Sequence, residues 1–158
     1  FRAATRWFEQ ARVGGSNVLL LLGKEGRGKT LAAGSVLVRN EGRGRYRTIN
    51  RLCRWFQSRV KEHTDQFDLS LSTELLILDD LGTELDRDIA RVVLQEVVNA
   101  RQDRRMLTIV TANITPAEFS EHYDPRTWSR LLQIGRVVEV GGEDLRKKKP
   151  ARPARKAS

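Results

Sequence analysis

One cysteine, Cys53, occurs in 158 residues, so an internal disulfide is excluded. The two histidines, His63 and His122, stand alone and offer no ligand spacing for a structural metal. Apolar runs are short. The longest, Val18–Leu22, is far below the ~20 residues that cross a bilayer, and no charged-then-apolar leader opens the chain. These absences predict a soluble protein of a reducing, cytoplasmic compartment with no membrane partner. Acids are missing from residues 146–158, which hold seven Lys/Arg, whereas residues 1–145 hold 22 Lys/Arg against 20 Asp/Glu, a balance of +2. A stretch of Lys, Arg, Pro and Ala cannot bury enough apolar surface to fold, so one domain over 1–146 and a disordered basic tail over 147–158 are expected. The opening Phe1, in place of Met, points to a natural chain that continues upstream.

Short apolar runs alternate with longer stretches of helical periodicity, the mark of a parallel sheet covered by helices on both faces. Five strands are predicted, at residues 17–22, 46–49, 75–79, 107–111 and 137–140. The clearest helix spans 86–101. There Ile89, Val93, Val97 and Ala90, Leu94, Val98 recur at four-residue spacing, with Arg91, Gln95 and Asn99 on the opposite stripe. Pro116 and Pro125 stand where short helices begin.

Directly after the first strand comes GKEGRGKT, residues 23–30, which fits the Walker A pattern Gly-x-x-x-x-Gly-Lys-Thr. The ATP-binding segment predicted from it is Gly23, Lys24, Glu25, Gly26, Arg27, Gly28, Lys29, Thr30 and Leu31. Glycines let backbone amides curl around phosphate oxygens, Lys29 reaches the β and γ phosphates, and the Thr30 hydroxyl can ligate Mg²⁺. The third strand, LLIL, runs into Asp79 and Asp80, a Walker B arrangement in which Asp79 holds Mg²⁺ and Asp80 orients or deprotonates the attacking water. The fourth strand ends in TAN and delivers Asn113, a sensor candidate, to the same sheet edge. RTWSRLL follows, with Arg126 and Arg130 on a short helix.

GKEGRGKT, LLILDDLGTE, TIVTAN, RTWSRL and GGEDLR, in this order over almost the whole chain, resemble the DnaC/IstB-like family of AAA+ ATPases. The resemblance implies a P-loop AAA+ core without a C-terminal helical lid, ATP and Mg²⁺ as cofactors, and hydrolysis with Asp80, Asn113 and Arg130 as catalytic residues. Arg130, with Arg126 as the fallback, is then the arginine finger offered to a neighbouring subunit, which requires self-association. A replicative helicase bound through a further N-terminal region is the implied partner. The chain departs from many relatives in having Asp80 where they have Glu, and Glu84 looks family-like without an assignable role.

Arg39, Arg43, Arg45, Arg47, Arg51, Arg54, Arg59 and Lys61 make a basic region. On a helix from residue 50 onward, Leu52, Phe56 and Val60 form a core stripe, while Arg51, Trp55 and Arg59 form another suited to single-stranded DNA. A solvated arginine face with Trp55 tucked against a loop is the competing reading. A helicase loader heads the functional readings. An IstB-like transposition helper, a P-loop small-molecule kinase and a nucleotide-gated binding module stand beside it.

Overall fold

The computed structural model describes residues 1–142 and Asp144. Over these the elements run α1 (Arg2–Arg12), β1 (Val18–Leu22), α2 (Lys29–Arg39), β2 (Arg45–Thr48), α3 (Ile49–Gln57), α4 (Lys61–Ser72), β3 (Leu75–Leu81), α5 (Arg87–Gln102), β4 (Leu107–Ala112), α6 (Pro116–His122), α7 (Pro125–Ile134) and β5 (Gly135–Glu139). Every strand pair is parallel and the order is β2-β3-β4-β1-β5. Successive side chains of a strand face opposite sides of a sheet. Leu19 and Leu21 of β1 pack with Trp7 and Phe8 of α1 and Ala33 and Val36 of α2. Val18, Leu20 and Leu22 pack with Leu52 of α3, Val93 and Val97 of α5 and Leu131 of α7. A strand roofed on both sides must be apolar at every position, which is why β1 reads VLLLL.

This order puts β1 beside β4, and their crossovers diverge: α2 contacts β3 and β4 on one face, while α6 and α7 lead to β5. A doubly wound sheet opens its ligand crevice at such a point, beyond the carboxyl ends of the strands. The expected tail at 147–158 and the expected lack of a lid lie outside the described residues.

The two weakest strands are displaced from their predicted bounds. Ile49 is not the end of β2 but the first residue of α3, because the Thr48 side chain caps that helix by accepting the Arg51 N–H at 3.3 Å. β5 starts two residues early, directly after α7. Asp86 is the cap of α5 rather than its first residue, accepting the Asp88 and Ile89 N–H groups at 3.0 and 3.1 Å.

The predicted helix through Val60 requires a larger correction. α3 stops at Gln57, since the Ser58 hydroxyl accepts the Val60 N–H at 3.2 Å and lies 2.8 Å from His63 Nδ1. A serine that offers the backbone such a local partner competes with helix propagation. Arg59 therefore leaves the Arg51 and Trp55 stripe. Phe56 and Val60 are 41% and 54% exposed, so they are not core, and the buried face of α3 is Ile49, Leu52 and Cys53.

Arg101, in the last turn of α5, is 1% exposed. It donates to the carbonyls of Ser70, Leu71, Thr73 and Leu107 at 3.1, 3.1, 2.9 and 2.7 Å and to Thr108 Oγ1 at 2.9 Å, tying the end of α4 to β4. Burial lowers its pKa to about 10, still well above neutrality. Arg101→Met should leave those carbonyls without a donor and cost about 3 kcal/mol or more. Thermal denaturation should then show a fall of roughly 10 °C, and an unchanged melting temperature would show the guanidinium to be dispensable.

Candidate nucleotide site

The loop between β1 and α2 takes left-handed backbone at Gly26 and Gly28, with φ of +74° and +82°, and Gly28 forms the start of α2. Side chains resist that conformation, so glycine is required where the chain must curl. A Cβ on Gly26 would also run into the Asp144 carboxylate. Residues 25–31 line a cleft of about 410 Å³ together with Asp80, Thr83 and Asn113. Gly23 and Lys24 do not line it. Their carbonyls accept the Lys29 Nζ at 2.6 and 2.8 Å, which orients an ammonium that is 5% exposed. Burial lowers the Lys29 pKa, and the nearby charges of Asp79 and Asp80 oppose that shift.

Asp79, 1% exposed, is the hub of the site. Thr30 Oγ1 donates to its two oxygens at 3.0 and 3.1 Å, and the hydroxyls of Tyr46 and Thr111 donate to it as well. A buried carboxylate costs several kcal/mol unless hydrogen-bonded, and here three hydroxyls supply the bonds. Burial, followed by the bond to Asp79, raises the Tyr46 pKa, so the phenol stays a donor. Sequence reasoning missed Tyr46, which sits on the weakest strand with no local motif. Thr111 carried a signal: it is a polar residue inside the apolar run of β4.

Asp80 adopts φ +64°, unusual for a residue with a side chain. Its N–H donates to Thr111 Oγ1 at 3.2 Å and its carbonyl accepts from Thr83 Oγ1 at 2.8 Å. The following loop is held from two sides. Asn50 of α3 donates to the Thr83 carbonyl at 3.2 Å and accepts the Leu85 N–H at 3.3 Å. Glu84, its side chain 1% exposed, accepts the Gly82 N–H at 2.8 Å, lies 3.0 Å from His122 Nε2 and accepts the Tyr123 hydroxyl. Burial and the Glu84 charge both raise the Tyr123 pKa. Asn113 donates its N–H to the Leu81 carbonyl at 3.0 Å, which seats its side chain at the cleft.

Arg126 and Arg130 are both exposed and do not line that cleft. They border a separate cavity between α5 and α7, where Arg130 Nη1 donates to the Asn99 carboxamide oxygen. On the α3 side, the guanidinium carbons of Arg47 and Arg51 stand 5.0 and 5.7 Å from the centre of the Trp55 ring. The two cations thus use the indole as a platform. Arg54, Glu62, His63 and Gln66 complete a polar cavity there, and exposed Arg59 is not among its walls. Arg47 is a cation of this cluster that the helical stripe did not reveal, because it comes from β2.

A family model for the IstB-like ATP binding protein matches residues 4–153. No curated protein sequence matches at a significant level. Among solved structures, the chain is similar to DnaI, with a TM-score of 0.73 and 19% identity over 89% of this chain and 82% of that one. It is similar to the DnaC helicase loader at a TM-score of 0.71 and 19% identity, covering 89% and 87% of the two chains. The replication initiator DnaA bound to AMPPCP and single-stranded DNA gives a TM-score of 0.71 at 20% identity, covering 90% of this chain and 45% of that one. This chain therefore spans less than half of DnaA. At such identities the likeness is one of fold, the P-loop AAA+ core.

Proposed function

This chain belongs to the IstB-like ATP-binding protein family, and on that premise we propose that it is an ATP-hydrolysing, DNA-associated AAA+ protein that loads a replicative helicase. The observation that carries hydrolysis is the convergence of Lys29, the Thr30 and Asp79 pair, Asp80 and Asn113 on one sheet edge. The glycine-curled loop and the buried ammonium fit a triphosphate, and the Thr30 hydroxyl with the Asp79 carboxylate fits a hard divalent cation. Mg²⁺ bound there supplies charge neutralisation for the transferring phosphoryl group. Asp79 and Thr30 hold the cation side, and Asp80 orients the attacking water. Asn113 hydrogen-bonds at the γ-phosphate end. Arg130 acts on a neighbouring subunit's site, which makes self-association part of the activity.

ATP turnover measured with and without single-stranded DNA tests this reading. Stimulation by DNA supports it, phosphorylation of a metabolite would identify a kinase, and nucleotide binding without turnover would identify a gated module. Membership of the IstB-like ATP-binding family is equally compatible with a second reading, a transposition helper. Capture by a purified transposase but not by the replicative helicase would establish that one instead.

Single-stranded DNA is taken by the α3 face. Because two guanidiniums already use the Trp55 ring, contact falls on phosphates, with Trp55 as the platform that aims Arg47 and Arg51. Arg47→Ala and Arg51→Ala should each reduce the slope of log affinity against log salt by about one. Trp55→Ala should reduce it too. A loss of roughly 1–3 kcal/mol at unchanged slope would mean that a base stacks on Trp55 after all.

A further inference from the structure

The hydrolytic reading above leaves Glu84 without a task, although its side chain is almost wholly enclosed in the loop that follows Asp80. We infer that Glu84 and Tyr123 are positioning residues for Asp80, assisted by His122; the inference rests on Asp80 as the water-orienting group. Asp80, next to last in β3, and Gly82, just past its end, take left-handed backbone with φ of +64° and +92°, and the β3–β4 register shifts between Leu78 and Leu81. Residues other than glycine seldom adopt a left-handed conformation, so the atoms that fix the backbone on either side of Asp80 decide where its carboxylate points.

The hold is concentrated on one backbone group. The Gly82 N–H points at both Glu84 Oε1, at 2.8 Å, and Tyr123 Oη, at 2.9 Å, and Tyr123 in turn donates its hydroxyl to Glu84. His122 Nε2 lies 3.0 Å from the other carboxylate oxygen, and the His122 carbonyl accepts from Arg91 Nε at 3.0 Å, anchoring the end of α6 to α5. The network is almost closed to water: Tyr123 is 2% exposed, and the side chains of His122 and Glu84 are 13% and 1% exposed. Tyr123 is further packed on Phe119, with ring centroids 4.7 Å apart. Thr83 and Asn50 tie the solvent side of the same loop, so the buried network supplies the opposing anchor. None of Glu84, His122 and Tyr123 lines the nucleotide cleft, so they act on it only through the backbone that aims Asp80. A side chain displaced by even 1 Å from a productive geometry can lose about 100-fold in rate.

Tyr123→Phe deletes one hydroxyl while keeping the packed ring, and Glu84→Gln keeps the size of the acid while removing its charge. In the nucleotide-free chain, hydrogen exchange at the Gly82 amide should quicken at least about tenfold in either variant, with protection in β1 unchanged. ATP affinity should stay within about twofold while kcat falls about tenfold or more. Combined with Asp80→Asn, neither substitution should slow the residual turnover further, because both act through that carboxylate. Unchanged exchange at Gly82, or falls in kcat that are equal with and without the Asp80→Asn substitution, would overturn the inference. Asp80→Asn turning over at the wild-type rate would instead overturn the hydrolytic reading on which it stands. If Tyr123→Phe does not fold, Glu84→Gln is read by the same two measurements.

Discussion

Lys29→Ala is expected to abolish ATP binding. The ammonium sits 5% exposed on the Gly23 and Lys24 carbonyls, within the phosphate loop. Charge-assisted bonds from it to two phosphates would contribute ~1.5–3 kcal/mol each, so the loss should be at least ~3 kcal/mol, beyond ~100-fold in Kd. The alanine also releases the loop carbonyls that the ammonium draws together. Titration with a fluorescent ATP analogue measures the effect, and circular dichroism checks that the variant is folded. An affinity equal to that of the wild type would remove the phosphate-binding role from this loop.

Arg130→Ala should leave ATP affinity nearly intact and reduce hydrolysis by ~10³-fold. The basis is placement: Arg130 is exposed on α7, bonded to Asn99 of α5, and borders a cavity other than the nucleotide cleft. A guanidinium outside the walls of its own cleft agrees with the proposed role, neutralising transition-state charge in trans. Mixing Arg130→Ala with Lys29→Ala creates interfaces that pair an intact pocket with an intact finger, so turnover absent from either variant alone should partly return. Mixtures that co-assemble and recover nothing would show that Arg130 acts within its own chain or only structurally. Arg126, in the same cavity wall, is then the residue to replace.

Lys29 and Arg130 differ in how much of their setting the sequence reveals. The loop at residues 23–30 is legible because its chemistry is local: left-handed glycines, a lysine and a threonine follow one another, and the preceding strand announces itself by VLLLL. The α5 helix is equally legible, since Ala90, Val93, Leu94, Val97 and Val98 all bury at helical spacing. The Walker B pair is readable for the same reason, as two acids at the end of an apolar strand. The cavity that Arg130 borders joins α7 to α5, and no local pattern announces it.

Runs of consecutive residues are thus enough to specify the buried strands, the phosphate loop, the two acids and the proline-led starts of α6 and α7. Which distant side chains meet is settled by the packed chain alone. Tyr46 reaches Asp79 across 33 positions, Glu84 meets Tyr123 across 39, and Arg47 of β2 lies over Trp55 of α3. Helical periodicity places Arg59 on the Trp55 stripe, but one hydroxyl, that of Ser58, ends the helix before Arg59 is reached. The physical reason is the range of the forces. Burial patterns and turn conformations are set by neighbours in the chain, whereas a hydrogen bond to a buried carboxylate is worth making wherever the packed sheet brings a donor within about 3 Å.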